Sequence, residues 1–153
     1  MTYSSTVYRK QGGNEFIVGS GGYLRNNGYN FQTQPTPTTK TVANTMTIAE
    51  LLTKIIDATP TATGATAAYT LPTGALCDAG ATFETNDSFD WIIINNALAA
   101  ADTITITAGT GHTVVGNPVV QSLHASTGAT MGYSAVFRTR KTAADTFVSY
   151  RIA

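Results

Sequence analysis

Ser88-Phe89-Asp90-Trp91-Ile92-Ile93-Ile94-Asn95 and, after a break, Thr103-Ile104-Thr105-Ile106-Thr107 decide how this chain folds. In the first run Phe89, Trp91 and Ile93 recur at a period of two. In the second, Ile104 and Ile106 alternate with threonine. Such alternation marks half-buried strands, and it makes Trp91 the expected core anchor. Working outward, Ala68 to Leu71, Thr113 to Val115, Val119 to Leu123, Tyr133 to Arg140 and Thr146 to Ile152 repeat the grammar of short strands with turn breaks. Gly116-Asn117-Pro118 supplies one turn and Ala143-Ala144-Asp145 another, while Tyr133, Ala135 and Phe137 point inward on the penultimate strand. The spacing predicts a mainly β protein, a β-sandwich of jelly-roll type.

Composition agrees. The 153 residues are one domain's worth of chain, 42% apolar but only 12% charged, about half the usual charged share. Threonine, serine, asparagine and glycine cover the surface instead, a mixture that suits strands and turns better than long helices. One helix is expected near 47–57, where Ile48, Leu51, Leu52, Ile55 and Ile56 form an apolar stripe. Thr47 and Glu50 have the spacing of a capping box, and Asp57 to Pro60 ends the run.

Ahead of that helix, residues 1–45 read as an extended amino-terminal arm, and residues 46–153 as the sandwich domain. Gly12-Gly13, Gly19-Ser20-Gly21-Gly22, Asn26-Asn27-Gly28 and Gln34-Pro35-Thr36-Pro37 punctuate the arm, with Pro35 to Thr41 an extended spacer. Its apolar residues are spread too thinly for a private core, so the arm is expected to order against partner chains. The candidate partner-binding residues are Tyr8, Arg9, Lys10, Phe16, Ile17, Val18, Tyr23, Leu24, Arg25, Tyr29 and Phe31.

Net charge is zero, which points away from a general nucleic-acid binder or a membrane-surface protein. The zero conceals segregation. Residues 1–45 hold Arg9, Lys10, Arg25 and Lys40 against Glu15, a net of +3, and residues 46–130 hold Lys54 against seven acidic residues, a net of −6. Met1-Thr2-Tyr3-Ser4 opens no signal sequence, and no apolar run approaches the roughly 20 residues of a membrane helix, so synthesis in the cytoplasm is expected. Cys77 is the single cysteine.

Chemistry-bearing constellations are sparse. His112, His124 and Cys77 lack zinc-site spacing, and His112, after Gly109-Thr110-Gly111, reads as an exposed histidine in a hairpin turn. Glu84, Asn86, Asp87 and Asp90 form the densest acidic group, without the glycine and closing glutamate of a calcium loop. The glycine-rich stretches precede strands rather than helices, so they read as turns and not phosphate cradles. A dispersed triad of a serine, His112 and Asp102 is open to any chain of this composition. Arg138, Arg140 and Lys141 are expected to form a salt-bridged sheet face rather than a nucleic-acid patch. No cofactor, metal or catalytic residue is assigned.

Several stretches together resemble the structural proteins of tailed bacteriophages. They are Thr70-Leu71-Pro72-Thr73-Gly74, Asn86-Asp87-Ser88-Phe89-Asp90 through Asn95-Asn96, Ile104 through Gly111 with Val114-Val115-Gly116-Asn117, and Phe137 through Lys141 with Tyr150-Arg151. Tyr8-Arg9-Lys10-Gln11-Gly12-Gly13 with Phe16-Ile17-Val18-Gly19 resembles the opening of head decoration, or cement, proteins. The resemblance implies a non-enzymatic virion protein on the outer capsid surface, bound to the major capsid protein, oligomeric and trimeric by preference, with no cofactor. Related domains also occur on fibres, which leaves a carbohydrate- or receptor-binding module as the alternative.

Overall fold

The computed structural model describes residues 7–9, 16–19, 22–25, 27–29, 31–60, 66–97, 102–122 and 133–153. The chain divides into two units, Met1–Thr33 and Gln34–Ala153. In the first, β1 (Val7–Arg9) and β2 (Phe16–Val18) pair antiparallel, with Tyr8 opposite Ile17 and Arg9 opposite Phe16.

The second unit runs β3 (Thr38–Lys40), α1 (Ile48–Leu52), β4 (Ile55–Ala58), β5 (Thr66–Thr70), α2 (Gly74–Gly80), β6 (Ser88–Asn95), β7 (Thr103–Thr107), β8 (His112–Val115), β9 (Val119–Val120), β10 (Tyr133–Ala143) and β11 (Thr146–Arg151). It is mainly β. One sheet has the order β3-β4-β6-β10-β11-β8 and the other β5-β7-β9. Four of the pairings are parallel: β3–β4, β4–β6, β8–β11 and β5–β7. A jelly roll is built of antiparallel strands, so these pairings depart from the expected topology. Parallel neighbours need a crossover, and between β3 and β4 the crossover is α1.

Both sheets contribute to one buried cluster. Ile56, Trp91, Ile93, Ala135, Phe137 and Phe147 come from the larger sheet, and Ala67, Tyr69, Ile104, Ile106 and Val120 from the smaller. Trp91 is fully buried and stacks on Phe137, its direct cross-strand partner, with ring centroids 4.7 Å apart and planes 15° apart. Buried Asn95 of β6 donates to the carbonyls of Asp102 and Val120, the latter on β9 of the other sheet.

The helix expected over 47–57 is two elements. The capping box holds as expected, with Thr47 Oγ1 accepting from the Glu50 amide and Glu50 from the Thr47 amide. The helix stops at Leu52, Lys54 takes a positive φ of 67°, and Ile55–Ala58 becomes a strand. Ile55 and Ile56 are β-branched and find register partners in Ile92 and Ile93, so sheet pairing outcompetes another helical turn.

Residues 34–45 also differ from expectation. Thr38–Lys40 is an edge strand rather than spacer, and Lys40 is buried, its Nζ 2.7 Å from Glu50 Oε1. Burial opposes ionisation of Glu50, but the Lys40 bond and the Thr47 amide prevail and hold its carboxyl below the ordinary value. A second helix, α2, had no counterpart in the expectation of one. Thr73 caps it, and a Cβ on Gly74 would stand 1.8 Å from the Asp145 carbonyl oxygen, so only glycine lets the helix start meet the β10–β11 turn.

Replacing Trp91 with alanine removes the largest buried side chain together with its stack. We expect Trp91→Ala to cost about 3 to 5 kcal/mol, read as a lower urea midpoint and melting temperature. A variant that melts alongside the parent would show that the core does not hang on this ring.

Candidate interaction surface

In the first unit large apolar side chains stand in solvent. Tyr29 and Phe31 are 91% and 90% exposed, and Tyr23 and Leu24 are 75% and 73% exposed. The sequence around them is rich in glycine and asparagine. The Tyr29 and Phe31 rings lie 6.1 Å apart and tilted by 42°, and the Arg25 guanidinium lies 5.8 Å above the Tyr23 ring. Such contacts contribute on the order of 1 kcal/mol each, less than full burial of the same rings would. Ile17 is half-buried and Val18 exposed on β2, Tyr8, Arg9 and Phe16 sit on the paired strands, and Lys10 lies outside the described residues. Among the expected binding residues, pairing thus joins the β1–β2 set, and ring contacts join Tyr23 to Arg25 and Tyr29 to Phe31.

The second unit carries an open apolar groove of about 290 Å³, lined by Thr45, Met46, Thr47, Ile48, Pro72 and Leu76. Sequence reading did not find it, because its walls come from the approaches to α1 and α2, which are distant in the chain and share no periodic signal.

His112 is not an exposed turn residue. β7 and β8 lie in different sheets, so Gly109-Thr110-Gly111 carries the chain from one sheet to the other instead of closing a hairpin, and His112 is only 6% exposed. Its Nε2 is 2.8 Å from Ser149 Oγ and its Nδ1 3.1 Å from the Pro72 carbonyl oxygen. Ser149 Oγ lies 2.6 Å from Thr139 Oγ1, which accepts from Trp91 Nε1 at 2.9 Å. A serine–histidine pair invites a catalytic reading, but Ser149 is fully buried and a backbone carbonyl occupies the position where a triad places a carboxylate. This pair presents no nucleophile to solvent.

The cationic side chains of β10 find partners on β6, on α2 and in the turn before β6. Arg138 grips Asp90 with two bonds of 2.7 and 2.8 Å, Arg140 reaches Asn86, and Lys141 meets Asp78 at 2.7 Å and the Phe83 carbonyl at 2.9 Å. The Arg138 bond holds the Asp90 carboxyl below the ordinary range, and the Lys141 bond does the same for Asp78. Among the described residues no three His, Cys, Asp or Glu side chains gather as a metal site, and no helix is long and apolar enough to cross a membrane.

Because Tyr29 and Phe31 are so largely exposed, the double change Tyr29→Ser, Phe31→Ser should leave the melting temperature of the isolated chain within the scatter of surface substitutions, about 0.5 kcal/mol. A large destabilisation would show that these rings are packed in the free protein. Comparison with protein-family models, with curated proteins and with solved structures finds no match to this chain.

Proposed function

We propose that this chain is a structural virion protein that attaches to the outer surface of an assembled tailed-phage capsid and stabilises it, in the manner of a cement protein. The first unit is the anchor, and the second faces outward with its two sheets packed as a sandwich. The observation that carries this reading is the set of bulky apolar side chains left in solvent at Tyr23, Leu24, Tyr29 and Phe31. Burying each would contribute about 1.5 to 3 kcal/mol, less the entropy of ordering the backbone around it, so a surface that covers all four gains a useful anchor.

The work is binding rather than chemistry. A protein that binds the assembled lattice and not its loose subunits shifts the equilibrium toward the lattice by mass action at every copy. The partner is the major capsid protein, and main-chain bonds from β1 or β2 to an exposed sheet edge would add to the apolar contacts. Arg9, Lys10 and Arg25 lend the anchor positive charge, so raised salt weakens attachment only in part. The chain acts as a cyclic oligomer, a trimer by preference, since closed symmetry buries shared surface without leaving open ends. The alternative, a sugar- or receptor-binding module, would be favoured by an exposed cluster of tryptophan and tyrosine; Trp91 is buried, and the exposed Tyr23 and Tyr29 belong to the unit read here as the anchor.

The fold sets the truncation point. Deleting residues 1–33 should leave a folded protein that melts close to the full chain, while co-sedimentation with undecorated phage heads falls by orders of magnitude. Deleting residues 1–40 removes β3 and the Lys40 partner of Glu50, and should lower the melting temperature as well. Equal binding by the shorter chain would refute the anchor. Light scattering of the intact protein at micromolar concentration should report an oligomer, and a monomer would refute that part.

A further inference from the structure

A directed chain of hydrogen bonds crosses the larger sheet, and its direction follows from its ends. The Pro72 carbonyl can only accept, which places the imidazole proton of His112 on Nδ1 and leaves Nε2 as an acceptor. Ser149 therefore donates its hydroxyl proton to Nε2, Thr139 donates to Ser149, and the Trp91 indole N–H donates to Thr139. The four residues stand on β8, β11, β10 and β6, neighbours in the sheet in that order. Each donor has one acceptor, and the chain works in one direction only.

A second proton on the imidazole reverses it. Nε2 becomes a donor toward Ser149, whose own proton must turn toward Thr139, and Thr139 already receives the indole N–H. One hydroxyl proton is then left inside the core, beside a cation with no carboxylate bonded to either ring nitrogen. We propose that His112 is an acid-sensitive latch, which in its neutral form pins the edge strand β8 to the core by accepting from Ser149 and on protonation loses that hold, while its Nδ1–H bond to Pro72 persists.

The surroundings leave this titration to the imidazole. β11 presents Phe147, its ring centroid 6.0 Å from that of His112, and Ser149, while β8 itself carries no other ionisable group. On α2, Cys77 is buried with its thiol pushed up to about 11, and Asp78 is bonded to Lys141 of β10 and to the Asp145 amide. Asp145 at the hairpin turn approaches Gly111 through its backbone carbonyl, and burial keeps Tyr69 of β5 protonated. Burial holds His112 below its ordinary value, against the pull of the Pro72 carbonyl. The unfolded chain thus takes up the proton first as pH falls. The latch contributes in full above about pH 6.5 and is lost progressively below it, by at most tenfold in the folding constant per pH unit. The bonded carboxylates Glu50, Asp78 and Asp90 have depressed values, so their contribution is lost only in a separate window below about pH 4.5.

The test is an NMR titration of the imidazoles in the full chain, with urea denaturation of the parent, His112→Gln and His124→Gln between pH 7.5 and 5. We expect His112 to be the Nδ1–H tautomer at pH 7.5 and to titrate below 6.5. The urea midpoint should fall with pH in the parent and in His124→Gln but stay level in His112→Gln. Amide exchange should accelerate first at His112–Val115. An Nε2–H tautomer, a His112 pKa at or above 6.5, or an acid loss in His112→Gln as large as in the parent would overturn the latch. The titration needs no variant, so it decides even if His112→Gln fails to fold. The property belongs to the chain by itself and holds whatever the first unit binds.

Discussion

A buried tryptophan sets two demands at once: its ring needs apolar neighbours and its N–H needs an acceptor that water cannot supply. Trp91 meets the first by stacking on Phe137 and the second through Thr139. The solution propagates, because a hydroxyl that accepts must also donate. Thr139 in turn donates a hydrogen bond to Ser149, Ser149 donates one to His112, and the Pro72 carbonyl closes the sequence by accepting from the imidazole. Leaving a buried polar group unmet costs about 1 to 3 kcal/mol, so polar residues on the inner face of β8, β10 and β11 are consequences of the indole at β6 rather than flaws in an apolar core. Pro72 also lines the apolar groove, so the same chain fixes one groove wall.

The same economy appears at the sheet's other edge. β3 is three residues long and could not hold its place by backbone bonds alone, yet Lys40 runs inward to Glu50, which also caps α1. One carboxylate thereby ties the helix start to the edge strand, and the crossover that parallel pairing demands is held at both ends. Where two backbones must touch, at Gly74 and Gly111 against Asp145, glycine removes the Cβ that would collide. The Gln34–Ala153 unit is thus stabilised within itself, whereas the Met1–Thr33 unit leaves Tyr23, Leu24, Tyr29 and Phe31 in water. That asymmetry is the physical basis for reading the first as the part that needs a partner.

Much of this was legible beforehand. The period-two runs around Trp91 and Ile104 announced strands with one buried face, and of the expected inward positions Ala135 and Phe137 are buried, although Tyr133 at the strand's start is not. The capping box was visible as Thr47 and Glu50. The helix beyond it was overextended because five apolar residues in a short run satisfy a period of 3.6 and, in their last two members, a strand equally well. Only Ile92 and Ile93, more than thirty residues downstream, decide between them. Tyr23, Tyr29 and Phe31 of the first unit stand exposed, and the groove beside Pro72 carried no linear signal.

By itself, the sequence determined strand periodicity, helix capping, the identity of the core anchor and the sparseness of charge, all of which are encoded in residues a few positions apart. The tertiary structure alone decided which strands pair in parallel, that residues 38–40 complete a sheet, and that His112 is buried rather than exposed. Each of those outcomes depends on partners 10 to 40 positions away along the chain: Glu50 for Lys40, and Ser149 and Pro72 for His112. A local pattern records what a residue prefers, and burial and hydrogen-bond completion are settled only when distant segments compete for the same space.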